Sequence, residues 1–218
     1  MSVSNLIANY SFEAGWSSAI PEVAWSISTT GSTGLTAQGQ LVNTRPYNGD
    51  KCMELRAMHL PQYWTITASA MDFRYYSLHQ VKTASQTVML TGEVLAPTRT
   101  FDLKFQYRMS YPDNEFDYTK CHMRIDIVGY TTVLTVTSST VTSVIPSWSW
   151  SDYLQEFSYN SYKNWTQYIN TVSAIPSSVK CIRLSIANAV ASSYTAPTIS
   201  AREKTRLYLD DLLLIRSG

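Results

Sequence analysis

Two aspartates stand side by side near the C-terminus, Asp210 and Asp211, inside an apolar run over residues 207–215. A strand interior disfavours aspartate, because its short polar side chain competes for the backbone. Alternation sends the two to opposite faces, so one points inward or sits at a sheet end. A buried carboxylate persists only when it is paired, hydrogen-bonded or bound to a metal. Other chemistry is sparse. His59, His79 and His122 are isolated, and none stands at His-x-x-x-His or Cys-x-x-Cys spacing, which argues against zinc. No nucleophile-elbow motif accompanies the many serines. Glu93, Glu115 and Asp117 lie in loop-like stretches without a supporting motif. They read as solvated surface rather than as a glycosidase pair. These features point away from an enzyme.

The richest functional stretch is residues 147–164, which carry Trp148, Trp150, Tyr153, Phe157, Tyr159 and Tyr162 among Ser, Asn and Asp. It has no clean period and reads as a long loop. Sugars present apolar C–H faces rimmed by hydroxyls, which suits flat rings beside hydrogen-bonding side chains. The expected ligand-binding residues are therefore Trp148, Trp150, Tyr153, Tyr159 and Tyr162. Two other readings stand beside this one: rings that anchor the loop on the core, and a protein contact. His122, Arg124 and Asp126 share one strand face, as an ordinary wet face or as a polar sugar-contacting patch.

The elements that position these residues are strands. Phe101, Leu103, Phe105, Tyr107 and Met109 alternate strictly with Asp102, Lys104, Gln106 and Arg108, marking one buried and one wet face. Cys121, Met123, Ile125 and Ile127 alternate in the same way with His122, Arg124 and Asp126. Met53 and Leu55 oppose Glu54 and Arg56 just after the turn Tyr47-Asn48-Gly49-Asp50. Further strands are expected over residues 5–13, 63–68, 74–81, 86–90, 169–175, 179–187 and 207–215. Residues 28–34 read as a loop, and 131–144 as a Thr/Val/Ser run of high β propensity. No long amphipathic helix and no internal repeat appears. Roughly ten short strands separated by turn signals imply an all-β, two-sheet antiparallel β-sandwich of jelly-roll type, spanning 1–218 as one domain.

Of the 218 residues, 15% are charged and the net charge is +1, so nothing marks a partner such as nucleic acid or an anionic membrane. No apolar run approaches the length of a membrane span. Cys52, Cys121 and Cys181 are widely spaced in apolar segments and read as reduced core thiols. Residues 1–5 show no secretory signal. This places the chain in a cytoplasm or in something assembled there, with an extracellular location as the alternative if a signal has been removed.

The stretch Asn5-Leu6-Ile7-Ala8-Asn9-Tyr10-Ser11-Phe12-Glu13 and the closing Leu207-Tyr208-Leu209-Asp210-Asp211-Leu212 together resemble carbohydrate-binding modules of the family 4/9/22 type, a galactose-binding-domain-like jelly roll. Gly49 to Leu55, Phe101 to Arg108 and Trp165 to Ile186 extend the resemblance over most of the chain. It implies that first and last strands meet, with a structural calcium held there by Glu13 and Asp210, joined by Asp50 or the Asn48 carbonyl; the alternative is that Glu13 and one of the aspartates are simply hydrogen-bonded at the sheet end. It also implies a non-catalytic binding module. The expected setting is attachment or decoration in a larger assembly, namely a bacteriophage virion (capsid decoration, head fibre or tail), with other structural subunits as partners. The alternative is a stand-alone or enzyme-derived module that binds a cell-surface or plant polysaccharide.

Overall fold

The computed structural model describes residues 5–8, 10–13, 25–31, 39–43, 46–61, 65–67, 70–72, 77–90, 97–110, 120–132, 145–156, 164–191 and 203–217. The described elements are all strands: β1 Ser26–Gly31, β2 Gly39–Val42, β3 Cys52–Pro61, β4 Thr65–Thr67, β5 Ala70–Asp72, β6 Ser77–Met89, β7 Thr98–Ser110, β8 Lys120–Tyr130, β9 Trp148–Glu156, β10 Thr166–Pro176, β11 Cys181–Ala191 and β12 Glu203–Arg216.

Two antiparallel layers follow from the pairing. The first runs β10-β7-β12-β3, with β2 beside β3; the second runs β6-β11-β8-β9, with β1 beside β6. The layers join where His59, Leu60 and Pro61 of β3 pair with His79, Leu78 and Ser77 of β6. The short β4 and β5 pair only with each other. The core lies between the layers. β7 contributes Phe101, Leu103, Phe105, Tyr107 and Met109; β8 and β11 contribute Met123, Ile125, Ile127, Ile182, Leu184 and Ile186. Each such side chain, fully buried, is worth about 1.5–3 kcal/mol. Asn188 ties the layers, its amide donating to the Leu55 carbonyl at 2.8 Å. The expected β-sandwich of jelly-roll type is the fold observed.

The paired aspartates sit on a β-bulge. On β12, Asp210 pairs with Gln106 and Leu213 with Lys104, so two residues face one on β7. Asp211 is the extra residue, at φ 47°. A bulge of this kind lets Leu209 and Leu212, three apart, both enter the core. Asp210 then lies with Tyr208 on the outer face of the first layer.

The first and last segments meet, as expected, but the described residues 5–8 and 10–13 form turns and irregular chain rather than a strand. β3 stops pairing with β12 at Leu209. Beyond it the N-terminal segment takes over the vacant edge. Leu6 N–H donates to Leu214 O and Leu212 N–H to Tyr10 O, each at 3.0 Å. Ile7 and Phe12 anchor the segment in the core.

Other expectations need correction. Residues 28–31, read as the start of a loop over 28–34, belong to the strand β1, and residues 32–34 lie outside the described residues. The described residues of the two strands read over 74–81 and 86–90 belong, except Leu90, to the single continuous β6, Ser77–Met89; residues 74–76 lie outside the described residues. The aromatic stretch 147–164 is not simply a loop, because β9 occupies 148–156 and pairs along β8 from Cys121 to Gly129. Residues 133–144 lie outside the described residues. Cys52 and Cys181 are buried, unbridged thiols; burial, more than the nearby Asp210 charge, pushes the Cys52 thiol up to about 12.

A polar clasp closes the open side of the sandwich between β9 and β10. The Tyr168 hydroxyl donates to Asp152 Oδ2 at 2.6 Å, and the Asn170 amide donates to the same oxygen at 2.9 Å. The hydroxyl holds the Asp152 carboxyl below its usual range. The unfolded chain has the higher value, so this stabilisation is fully present above about pH 4 and is lost as pH falls through the lower folded value. Tyr168→Phe is expected to cost about 1–3 kcal/mol at neutral pH. In urea melts between pH 3 and 7, its acid limb should be shallower than that of the wild type.

Candidate functional site

The described members of the expected aromatic cluster, Trp148, Trp150 and Tyr153, do not share one surface. β9 alternates, and Trp148 and Trp150 turn inward, partly buried against the core with Leu154. Their role here is closing the sandwich beside Asp152. Tyr153 turns outward on the second layer, 49% exposed. There it stands level with Arg124 of β8, whose Nε lies 2.8 Å from Asp126 Oδ2. Tyr159 and Tyr162 lie outside the described residues, and nothing is described of the His122 side chain.

A second aromatic arrangement lies on the outer face of the first layer. Strand register builds it. Tyr208 pairs with Glu54 on β3 and with Arg108 on β7. Thr166 pairs with Tyr107, so Trp165, one residue earlier, comes level with Arg108. The Arg108 guanidinium carbon lies 4.4 Å from the Tyr208 ring centroid and 5.3 Å from that of Trp165. A cation held between two rings is attracted by both and fixes their spacing. Tyr47, from the turn before β3, meets Trp165 edge-on at 5.9 Å and 68°.

This outer face holds charge under cover. Glu54 is 1% exposed, Arg108 6% and Asp210 0%, although alternation turns all three away from the core. Arg206 Nε lies 3.6 Å from Glu54 Oε1. Burial raises the Tyr208 hydroxyl above its ordinary value. What remains accessible is the upper level: Tyr47, 50% exposed, half-buried Trp165, and the exposed Gln167 and Ile169 beside Lys104 on the same face. Buried charges lock the rings from below, while ring edges, an amide and an ammonium group line the surface. The result is a face whose rings are held in place from beneath. Glu54 and Asp210 are engaged beneath it by Arg206 and by backbone amides, which suits binding better than turnover.

The turn above Asp210 is where the calcium implied by the resemblance would have to fit. Tyr47 N–H and Asn48 N–H donate to Asp210 Oδ2 at 3.0 and 3.2 Å. Asp211 N–H donates to Oδ1 at 2.9 Å. Asp50 N–H and Lys51 N–H donate to Glu13 Oε1 at 2.8 and 2.9 Å. Gly49, at φ 68°, brings the turn against Glu13: a Cβ here would stand 2.8 Å from the Glu13 carboxyl carbon. Calcium needs several oxygens converging on one point. Here Glu13 and Asp210 face amide hydrogens from separate parts of the turn, and Asp50 serves through its amide. Among the described residues, no three acidic, histidine or cysteine side chains are grouped to hold a metal ion. These residues do not fit the calcium that the resemblance implied. Burial pushes the Asp210 carboxyl up to about 6, against the opposing pull of its three amide donors.

No family model matches the sequence, and no curated protein matches it. Solved structures do. A family 61 carbohydrate-binding module, solved in complex with β-1,4-galactotriose, superposes with a TM-score of 0.51 at 13% identity, covering 98% of this chain and 99% of that one. A family 16 carbohydrate-binding module gives 0.47 at 14% identity, over 96% and 99%. The first xylan-binding family 22 module of the Paenibacillus barcinonensis protein Xyn10C gives 0.44 at 9%, over 99% and 96%. The class the architecture defines is the jelly-roll β-sandwich. The fold is the one found in carbohydrate-binding modules.

Tyr47 and Trp165 were missed as site residues because register, not local sequence, brings them together. One signal was available. Tyr208 stands on the polar face of β12, between the core residues Leu207 and Leu209, where a ring needs a partner.

Proposed function

We propose that the protein is a non-catalytic glycan-binding module that takes a saccharide chain across the outer face of β10 and β7. Tyr47 and Trp165 supply the rings against which the apolar C–H faces of the sugars lie. Gln167 and Lys104 supply hydrogen bonds to hydroxyls. The observation that carries this reading is the fixed Tyr47–Trp165 pair over Arg108 and Tyr208. The fold shared with a galactotriose-binding module supports the choice of ligand class. A screen on affinity gels cast with galactan, xylan, β-glucan and bacterial surface polysaccharides tests it. Retardation on at least one gel is expected; free migration on all of them would overturn the reading.

The setting we favour for this module is attachment or decoration in a larger assembly, such as a bacteriophage virion. The low charge, at 15% of residues, supports packing against other subunits. The exposed Ile145 supports it as well. Mass spectrometry of purified particles from the source tests this. Absence of the chain from such particles would leave a stand-alone module.

A further inference from the structure

The turn that carries Tyr47 has an unusual backbone. Five successive N–H groups, from Tyr47 to Lys51, all donate to side-chain oxygens. Tyr47 and Asn48 use Asp210, Gly49 uses Asn48 Oδ1 at 3.0 Å, and Asp50 and Lys51 use Glu13. Successive amides of a turn offer partial positive charge to carboxylates, and here they do so in two pairs, one facing Asp210 and one facing Glu13. This is the reverse of a cation site, where carbonyl oxygens would point inward. The two carboxylates come from opposite ends of the chain, Glu13 from the N-terminal segment and Asp210 from β12. Lys51 Nζ adds a bond to Glu13 O at 3.3 Å.

We propose that Asp210 is a positioning residue for the saccharide-binding face: its buried carboxylate, without a metal ion, holds the Tyr47 turn so that the Tyr47 ring stands edge-on against Trp165. This rests on the glycan-binding reading of that face. The turn contains a glycine in the left-handed region and four exposed residues, Tyr47 to Asp50. Little apolar burial therefore holds it in place. Its fixed points are the carboxylate bonds, and charge-assisted bonds of this kind are the strong ones. Asp210 takes both amides nearest the ring, and Asp211 N–H fixes the other carboxylate oxygen, so its orientation is set from both sides. A ring placed in advance loses less freedom on binding, and affinity gains by that amount. Asparagine is nearly the shape of aspartate, but its NH2 group would meet either the Tyr47 and Asn48 amides or the Asp211 amide, donor against donor.

The test compares the wild type with Asp210→Asn and, as a variant on the exposed side of the turn, Glu13→Gln. Three quantities are read: melting temperature with EDTA and with added calcium chloride, the ring-current shift of the Tyr47 aromatic protons in NMR spectra, and retention on a galactan gel. In the wild type, EDTA and calcium are expected to leave the melting temperature unchanged, and the Tyr47 protons should carry a shift from Trp165. Asp210→Asn should bring those protons toward random-coil positions and weaken retention about tenfold; Glu13→Gln should move both in the same direction by less. If Asp210→Asn does not fold, Glu13→Gln carries the test. A calcium-dependent rise in the wild-type melting temperature would overturn the proposal. So would Tyr47 shifts that survive in every folded variant. Wild-type protein that fails on galactan and all other gels counts against the glycan reading instead, and the metal and ring-current results still decide how the turn is held.

Discussion

Trp165→Ala is expected to abolish retention on the polysaccharide gel that retards the wild type, while the protein stays folded. Trp165 supplies the larger of the two accessible rings, and a tryptophan at the centre of a contact commonly carries about 2 kcal/mol or more of the binding energy. That corresponds to a loss of roughly thirtyfold or more in affinity. The stability cost is smaller. Trp165 is half-buried, and its described contacts are to Arg108 and Tyr47 at the surface of the layer. A cation–π contact there is worth about 0.5–1 kcal/mol, so the melting temperature should fall by about 2–4 °C. Arg108 keeps its contact with Tyr208. The control is Tyr153→Ala, on the outer face of the other layer, which should leave retention unchanged. Loss of binding in Tyr153→Ala with none in Trp165→Ala would move the site to the β8–β9 face.

The largest effect on stability is expected for Asn5→Ala. The Asn5 side chain acts as one more rung of the sheet where β3 has left β12. Its amide donates to Leu212 O at 2.9 Å, and its Oδ1 accepts from Leu214 N–H at 2.9 Å and from Ile7 N–H at 3.1 Å. Alanine leaves three backbone groups without this partner in a part-buried seam. Each unsatisfied group costs about 1–3 kcal/mol, though the exposed rim lets water take up some of the loss. A total of about 2–4 kcal/mol is expected, or a fall of roughly 5–15 °C in melting temperature. Asn5→Asp keeps the acceptor for Ile7 and Leu214 N–H but sets a carboxylate oxygen against Leu212 O, acceptor against acceptor, so it should not restore the wild-type stability. A melting temperature within a degree or so of wild type for Asn5→Ala would show that the two ends of the chain are held by packing of Ile7 and Phe12 alone.

Much of the sandwich was legible because its central strands carry strong contrast. β7 sets five apolar residues against Asp102, Lys104, Gln106 and Arg108, and β8 does nearly the same. The meeting of the first and last segments was legible from the paired end motifs. β9 was not. Its inward residues are Trp148, Trp150, Asp152 and Leu154, and its outward ones include Ser149, Ser151 and Tyr153. A charged residue sits on the inner row and a ring on the outer, so polarity alternates poorly even though the strand is regular. The inner aspartate is tolerated because Tyr168 and Asn170 meet it from β10. The bulge at Asp210 and Asp211 was hidden for a related reason: an extra residue in one strand shows only against its neighbour's register.

The candidate site was less legible than the fold. Sequence reasoning looked for rings close together along the chain, in residues 147–164, and β9 sends Trp148 and Trp150 to one side and Tyr153 to the other. The rings that do meet, Tyr47, Trp165 and Tyr208, are far apart in sequence and converge only through the order β10-β7-β12-β3. Asp210 first drew attention as an oddly placed acid. Its three amide donors give it a structural reason for burial, and the same bonds hold Tyr47 at the accessible face.

The most direct test of the account is an NMR titration of labelled protein with oligosaccharides from whichever polysaccharide retards it on a gel. The account expects amide shifts to cluster at residues 46–51, 104–108 and 165–169, with the Trp165 indole N–H among the largest, and the β8–β9 face around Arg124 and Tyr153 unmoved. Shifts centred on Tyr153 and Arg124, with Tyr47 and Trp165 silent, would contradict it.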